Sequence, residues 1–107
     1  MNNVCIFAGT TEGRRLIDFL ETQPIRITAC VATEYGEELL PSSPLLTVSM
    51  GRLSQDDMET MFRSEHFDCV IDATHPYADE ATENIMNACK MSGAEYLRLL
   101  RPVSSES

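Results

Sequence analysis

The sequence predicts an α/β fold, a doubly wound parallel sheet of about five strands with helices on both faces, in three layers. Two observations lead to this prediction. Short apolar runs with β-forming residues alternate along the chain with stretches that repeat apolar residues at helical spacing, which is typical of parallel strands joined by crossover helices. In addition, a length of 107 residues suits one compact domain with a core of its own.

The predicted strands and helices follow one another in strict alternation. The strands are predicted at Asn3 to Ala8, Arg26 to Ala32, Leu45 to Met50, Cys69 to Asp72 and Tyr96 to Leu100. The helices are predicted at Glu12 to Glu21, at Glu34 to Leu40, from Ser54 onward, and from about Tyr77 to Ser92. We therefore expect residues 1–102 to form one Rossmann-like lobe, and residues 103–107, which are polar except for Val103, to be a linker or a truncated edge.

Local signals mark the ends of these helices. Pro24 and Pro41 stop the first two helices, since proline cannot continue a helix. Ser54 with Asp57 three residues later forms a capping signal at the start of the third. Gly93 is a natural stop for the fourth, because glycine accepts the left-handed conformation that often ends a helix.

Charge and cysteine usage exclude several classes of function. The net charge is −9, from 17 carboxylates against 8 basic residues, which argues against nucleic-acid partners and anionic membranes. No apolar run approaches the length of a membrane span, and the N-terminus has no export signal. The 4 cysteines form no C-x-x-C pair, so we predict neither disulfides nor a metal site, and a cytoplasmic location.

The topology predicts where a ligand would bind. In an open parallel sheet the ligand crevice lies outside the carboxyl ends of the strands, at the point where the strand order reverses. With the common order 3-2-1-4-5, the first and fourth strands flank that point. The loops Gly9 to Gly13 and Ala73 to Tyr77 are therefore the places to expect chemistry.

The first loop, Gly9 to Gly13, runs into a helix N-terminus, where unpaired amides and the helix dipole favour a phosphate. Thr11 and Arg14 occupy the second and third glycine positions of the dinucleotide fingerprint G-x-G-x-x-G. The alternative is that Gly9 only makes a tight turn, Thr11 caps the helix, and Glu12 interacts with the helix dipole. The spacing alone leaves both interpretations open.

The second loop continues from the fourth strand as Asp72-Ala73-Thr74-His75-Pro76-Tyr77-Ala78. His75 could donate a proton or bind an anion, because a free imidazole titrates near neutral pH. The alternative for His75 is a solvent-facing or capping role. Asp72 could equally cap the turn, and Tyr77 could pack at the start of the helix.

Three arginines and one glutamate lie in or just after the other predicted strands. Arg52, Arg98 and Arg101 lie at or near the same sheet edge, and as a set they suggest a polyanionic ligand, although single surface arginines are usually solvated. Thr33 and Glu34 follow the second strand, where an acidic residue often binds the adenosine ribose and selects NAD over NADP. Glu34 could instead belong to the first turn of the short helix, so the cofactor preference stays open.

These loops, taken together and in this order, resemble the precorrin-6A reductase family of cobalamin biosynthesis, which includes the cobalt-precorrin-6A reductases. The resemblance runs through almost the whole chain, and the segments that carry it are 9–14, 33–36, 51–53, 72–78, 96–98 and 101–102. The string 72–78 is the most specific of them. The resemblance implies a two-lobed oxidoreductase that moves hydride from NADPH or NADH to a tetrapyrrole substrate of the precorrin-6A type.

The resemblance also implies residue roles. The predicted cofactor-binding residues are Gly9, Thr10, Thr11, Glu12, Gly13, Thr33, Glu34 and Thr74. The predicted catalytic residues are His75 and Tyr77, and the predicted substrate-binding residues are Arg52, Arg98 and Arg101. Because family members continue into a second lobe, we expect this chain to be a folded but inactive half that lacks its C-terminal lobe. The alternative function is a non-catalytic nucleotide-binding or sensor module.

Overall fold

The structure, a computed structural model, describes residues 2–32 and 43–100. In chain order the elements are β1 (Asn2–Ala8), α1 (Thr11–Leu20), β2 (Ile25–Val31), β3 (Leu46–Met50), α2 (Gln55–Glu65), β4 (Cys69–Ala73), α3 (Asp79–Ser92) and β5 (Tyr96–Arg98). All the predicted strands are present, with ends that differ from the prediction by one or two residues. The predicted helix at Glu34 to Leu40 lies outside the described residues.

The five strands form one parallel sheet in the order β3-β2-β1-β4-β5. The predicted order and the doubly wound fold are thereby confirmed. β1 lies at the centre, with Phe7 paired to Cys30 of β2 and Ala8 paired to Ala73 of β4. The order reverses between β1 and β4, so the carboxyl ends of these two strands flank the switch point.

Helices cover both faces of the sheet, because successive side chains of a strand point to opposite sides. On one face Phe7 packs with Phe62 of α2, their ring centroids 6.2 Å apart, and with the buried cluster that includes Ile85 of α3. On the other face Ile6 belongs to a second cluster with Ile17 of α1. The three-layer arrangement is therefore confirmed.

The helix ends follow the local sequence signals closely. At the start of α2, the Asp57 amide donates to the Ser54 hydroxyl at 3.1 Å and the Ser54 amide donates to the Asp57 carboxylate at 3.2 Å, which is a complete capping box. α3 ends at Gly93, which has a left-handed φ of 82°. α3 begins at Asp79, two residues after the predicted Tyr77, because residues 75–78 form a turn.

Candidate functional site

An open cleft with a volume of about 380 Å³ lies at the switch point of the sheet. Its walls are the two loops predicted to carry chemistry, together with the residues that follow β5. The lining residues are Gly9, Thr10, Thr11, Glu12, Arg14, Thr74, His75, Pro76, Tyr77, Leu99 and Leu100. The Gly9 amide donates to the Ala73 carbonyl at 3.2 Å, which ties the two loops together at the base of the cleft.

Gly13 allows α1 to lie close against the sheet beneath this cleft. A Cβ at position 13 would stand 2.9 Å from the Cβ of Ala73 and 3.2 Å from the Cα of Ala8. Gly13 therefore makes the close helix-to-strand contact that the third glycine of the dinucleotide fingerprint makes, one position earlier in the chain. This gives Gly13 a packing role, and its direct contact with a cofactor stays a prediction.

Thr10, and not Thr11, is the N-cap of α1. The Thr10 hydroxyl accepts from the Gly13 amide at 3.2 Å and donates to the Ala73 carbonyl at 2.9 Å. Both partners belong to the protein, so this hydroxyl has a structural role. The alternative that Thr11 caps the helix is wrong, because Thr10 is the last residue with extended backbone, at φ −137° and ψ 167°. The Thr11 hydroxyl accepts from Arg14 Nη2 at 3.2 Å and can still donate its hydrogen to a ligand.

Arg14 is a cleft residue that the sequence analysis noted only as a departure from the fingerprint. It lies four residues after the N-cap, and residues at this spacing share one face of a helix, which is the signal that could have identified it. Its guanidinium is next to the N-terminus of α1, where early amides lack intrahelical partners and the dipole is positive. This end of the cleft suits an anion, although Glu12 brings a carboxylate to the same lining.

Asp72 is a fully buried carboxylate directly beneath the second loop, with 0% of its surface exposed. Its Oδ1 accepts from the Thr74 amide at 3.0 Å, from the Thr74 hydroxyl at 2.7 Å and from Arg98 Nη1 at 3.1 Å. Its Oδ2 accepts from the Tyr96 hydroxyl at 2.8 Å. Both carboxylate oxygens are therefore satisfied inside the protein.

The same contacts shift the pKa values of Asp72 and Tyr96. Burial by itself raises the pKa of Asp72, but the hydrogen bonds from Thr74 and Tyr96 outweigh it, and the pKa lies below its ordinary value. Burial and the hydrogen bond to Asp72 raise the pKa of Tyr96 well above its ordinary value. At neutral pH the carboxylate is thus ionised and the phenol is neutral.

Arg98 spans the space between β5 and the second loop. Its Nη1 donates to the backbone carbonyls of Asp72 and Thr74, each at 3.0 Å, and its Nη2 donates to the His75 carbonyl at 3.5 Å. Only 20% of the Arg98 side chain is exposed. These contacts give Arg98 partners within the chain, and the substrate binding expected of it stays a prediction that they do not support.

His75 and Tyr77 both line the cleft and are both exposed. The Nδ1 atom of His75 accepts from the Tyr77 amide at 3.2 Å, which assigns the proton of the neutral ring to Nε2. The two rings lie 5.2 Å apart between centroids at an angle of 35°, and 85% of the Tyr77 surface is exposed. The pair therefore offers a hydrogen-bond donor, Nε2–H, beside an exposed aromatic face.

The remaining predicted site residues are not part of this cleft as described. Arg52 follows β3, is exposed, and is not in the cleft lining. Thr33, Glu34 and Arg101 lie outside the described residues. Within residues 2–32 and 43–100 there is no grouping of three His, Cys, Asp or Glu side chains suited to a metal ion. Within the same ranges no helix has the length and apolar character to cross a membrane.

Comparison with known proteins places these features in a family. The family model described as "Precorrin-6x reductase CbiJ/CobK" matches residues 3–107. The cobalt-precorrin-6A reductase of Methanothermobacter thermautotrophicus is 37% identical over 101 residues, which cover 94% of this chain and 33% of that protein. The precorrin-6A reductase of Mycobacterium tuberculosis is 32% identical over 102 residues, covering 95% of this chain and 41% of that protein.

A solved structure titled "CobK precorrin-6A reductase" matches the fold with a TM-score of 0.80 at 27% sequence identity. That match covers 95% of this chain and 40% of the solved chain. The chain thus spans between 33% and 41% of the length of the proteins to which it is similar.

Proposed function

The chain belongs to the precorrin-6x reductase family, and we propose that it is the N-terminal, cofactor-binding lobe of a precorrin-6A or cobalt-precorrin-6A reductase. When bound, NADPH or NADH would supply the hydride that adds to one carbon of a double bond of the tetrapyrrole, and a proton would add to the other carbon. The single observation that supports this proposal from the structure is the cleft at the switch point, where the N-terminus of α1 meets both loops.

The donors at the N-terminus of α1 fit the phosphates of a nicotinamide cofactor. The early amides of the helix point to this end, the Thr11 hydroxyl can donate, and the Arg14 guanidinium adds positive charge. Glu12 adds negative charge to the same lining, so we place the phosphates on the Arg14 side of the cleft.

The second loop would line the part of the cleft in which the reaction takes place. His75 would direct its Nε2–H at the ligand as a hydrogen-bond donor, since its Nδ1 already accepts from the backbone, and the proton that adds to the tetrapyrrole would come from water or from the second lobe. Tyr77 would offer its exposed ring as an apolar support for a planar ligand. Hydride transfer requires close alignment of donor and acceptor, so we propose that the second lobe of the family closes the cleft over these two residues.

Titration of the chain with NADPH and with NADH, followed by calorimetry, tests the cofactor site. Arg14→Gln should weaken binding by about tenfold or more, because a hydrogen bond to a charged phosphate contributes about 1.5–3 kcal/mol. Arg15→Gln is the matched control, since Arg15 is exposed, adjacent in sequence and not in the cleft lining. Absence of binding by both nucleotides, or an equal loss in Arg15→Gln, would contradict the proposed site.

A second titration separates the reductase from a nucleotide-binding sensor module. A corrin precursor is added to the chain already saturated with nucleotide, and the NMR signals of His75 and Tyr77 are followed. Changes at these two residues support a tetrapyrrole site next to the cofactor. Unchanged signals at saturating nucleotide support the sensor module.

A further inference from the structure

We propose that the ion pair between the buried Asp72 and the partly exposed Arg98 is a positioning device, which holds the second loop so that His75 keeps one ring orientation at the cleft. The inference rests on the proposed function, because a fixed orientation of the His75 ring matters only if the cleft binds a cofactor and a substrate. Neither residue lines the cleft, so each acts through the loop.

The guanidinium of Arg98 fixes the start of the loop through one nitrogen. Nη1 lies within 3.3 Å of the carbonyl and Oδ1 of Asp72 and of the carbonyl and hydroxyl of Thr74. The Thr74 amide and hydroxyl in turn donate to Asp72 Oδ1. The amide, carbonyl and hydroxyl of Thr74 thus each contact Asp72 or Arg98, and the hydroxyl also lies 3.2 Å from the Thr82 hydroxyl.

The same guanidinium reaches the next residue of the loop. Arg98 Nη2 donates to the His75 carbonyl at 3.5 Å, and that carbonyl also accepts from the Ala78 amide at 2.9 Å. This turn brings the Tyr77 amide to Nδ1 of His75, which sets the tautomer of the ring. The orientation of the His75 ring therefore depends on contacts that begin at Asp72.

The contacts of Arg98 with Asp72 and the second loop contribute more to the position of the loop than to the stability of the fold. A buried ion pair contributes little net stability, because the cost of removing two charges from water offsets their attraction. The acceptors around the planar guanidinium of Arg98, by contrast, lie in a defined geometry. Two of them are the backbone carbonyls of Asp72 and Thr74, so these hydrogen bonds fix the course of the loop. The Tyr96 hydroxyl donates to the opposite carboxylate oxygen, Oδ2 of Asp72.

The test compares two variants of the pair with a control at the same carboxylate. Asp72→Asn keeps the size of the side chain, and Arg98→Met removes every donor that Arg98 supplies to the loop. Tyr96→Phe removes one hydrogen bond from the other side of Asp72. Each chain is studied below its melting temperature. Long-range 15N–1H NMR spectra report which His75 nitrogen carries the proton, and calorimetry reports NADPH affinity.

We expect both pair variants to show a mixture of His75 tautomers and about tenfold weaker NADPH binding, which corresponds to about 1.4 kcal/mol. Tyr96→Phe should keep the Nε2–H tautomer and the wild-type affinity, even if its melting temperature falls. The proposal is overturned if Asp72→Asn and Arg98→Met retain a single tautomer, or if Tyr96→Phe mixes the tautomers equally. If the wild-type chain binds no nucleotide, the proposed function fails, while the tautomer measurement still decides whether the pair positions His75.

Discussion

Gly13→Ala places a methyl group at the point where α1 meets the sheet beneath the cleft. The new Cβ would stand 2.9 Å from the Cβ of Ala73, 3.2 Å from the Cα of Ala8 and 3.5 Å from the Cβ of Ala8. The first two distances are shorter than the carbon–carbon optimum of about 3.5–4.0 Å. Ala8 and Ala73 belong to paired central strands, so α1 has to move outward.

The size of the effect follows from two opposing contributions. Forcing a methyl group into a well-packed site costs about 1–3 kcal/mol. Alanine is a better helix former than glycine by at most about 1 kcal/mol, which offsets part of that cost. We therefore expect Gly13→Ala to lower the free energy of unfolding by about 1–2 kcal/mol, a large share of the roughly 5–15 kcal/mol typical of a domain.

Urea denaturation of a double-mutant cycle measures this contact directly. Ala73→Gly removes the methyl group that lies 2.9 Å from the new Cβ, so it should restore part of the stability that Gly13→Ala loses. The expected coupling energy is about 1 kcal/mol in favour of the double variant. NADPH binding should weaken in Gly13→Ala as well, since the N-terminus of α1 moves with the helix.

Asp18→Ala serves as the control, because it introduces alanine at an exposed position of the same helix and should change stability by less than about 0.5 kcal/mol. Two results would refute the reasoning. One is a Gly13→Ala chain at least as stable as the wild type. The other is strict additivity with Ala73→Gly, which would show that the helix does not rest on Ala73.

Three further predictions concern the rest of the fold. Ser54→Ala should lower the free energy of unfolding by about 1 kcal/mol in urea denaturation, through loss of the capping box; an unchanged midpoint would contradict this. Because the folded pKa of Asp72 is depressed, its stabilisation is present above the unfolded pKa of about 3.9 and lost as pH falls through the folded pKa. The melting temperature of the wild type should thus fall more steeply in acid than that of Asp72→Asn, and parallel curves would contradict it. Burial raises the pKa of Cys5, of Cys69 and of Cys89, the last to about 11, and Cys69 is the least buried of these three; mass spectrometry should therefore find Cys69 alkylated before the other two at neutral pH, and prior labelling of Cys5 or Cys89 would contradict this.

The strands could be predicted because the signals for them are local and repeated, and their order because it is the common order for this class of fold. Apolar runs, helical spacing and the single residues Ser54 and Gly93 each act within a few residues of the chain. The N-cap of α1 could not be assigned between Thr10 and Thr11 in the same way. Both are threonines, and the choice depends on where the extended backbone of β1 ends, which only the packing of β1 against β4 determines.

The role of Arg98 could not be predicted because it depends on the register between β4 and β5. Asp72 and Arg98 are paired across β4 and β5, and a register shift of one residue would turn Arg98 to the other face of the sheet. Arginine indicates an anion, but the sequence does not say whether that anion belongs to a ligand or to the protein itself. For Arg98 the anion is Asp72.

This assignment changes what the arginines at the sheet edge imply. The charge of Arg98 is balanced within the fold by Asp72, so it adds little to the field in the cleft. Arg14 is the arginine in the lining of the described cleft, next to the positive end of α1. A phosphate can therefore be held at one end of the cleft without a broad basic surface, which is consistent with a net charge of −9. Binding of the proposed tetrapyrrole substrate through arginine would then depend on residues outside this lining, and Arg52 is the described candidate at the same edge of the sheet.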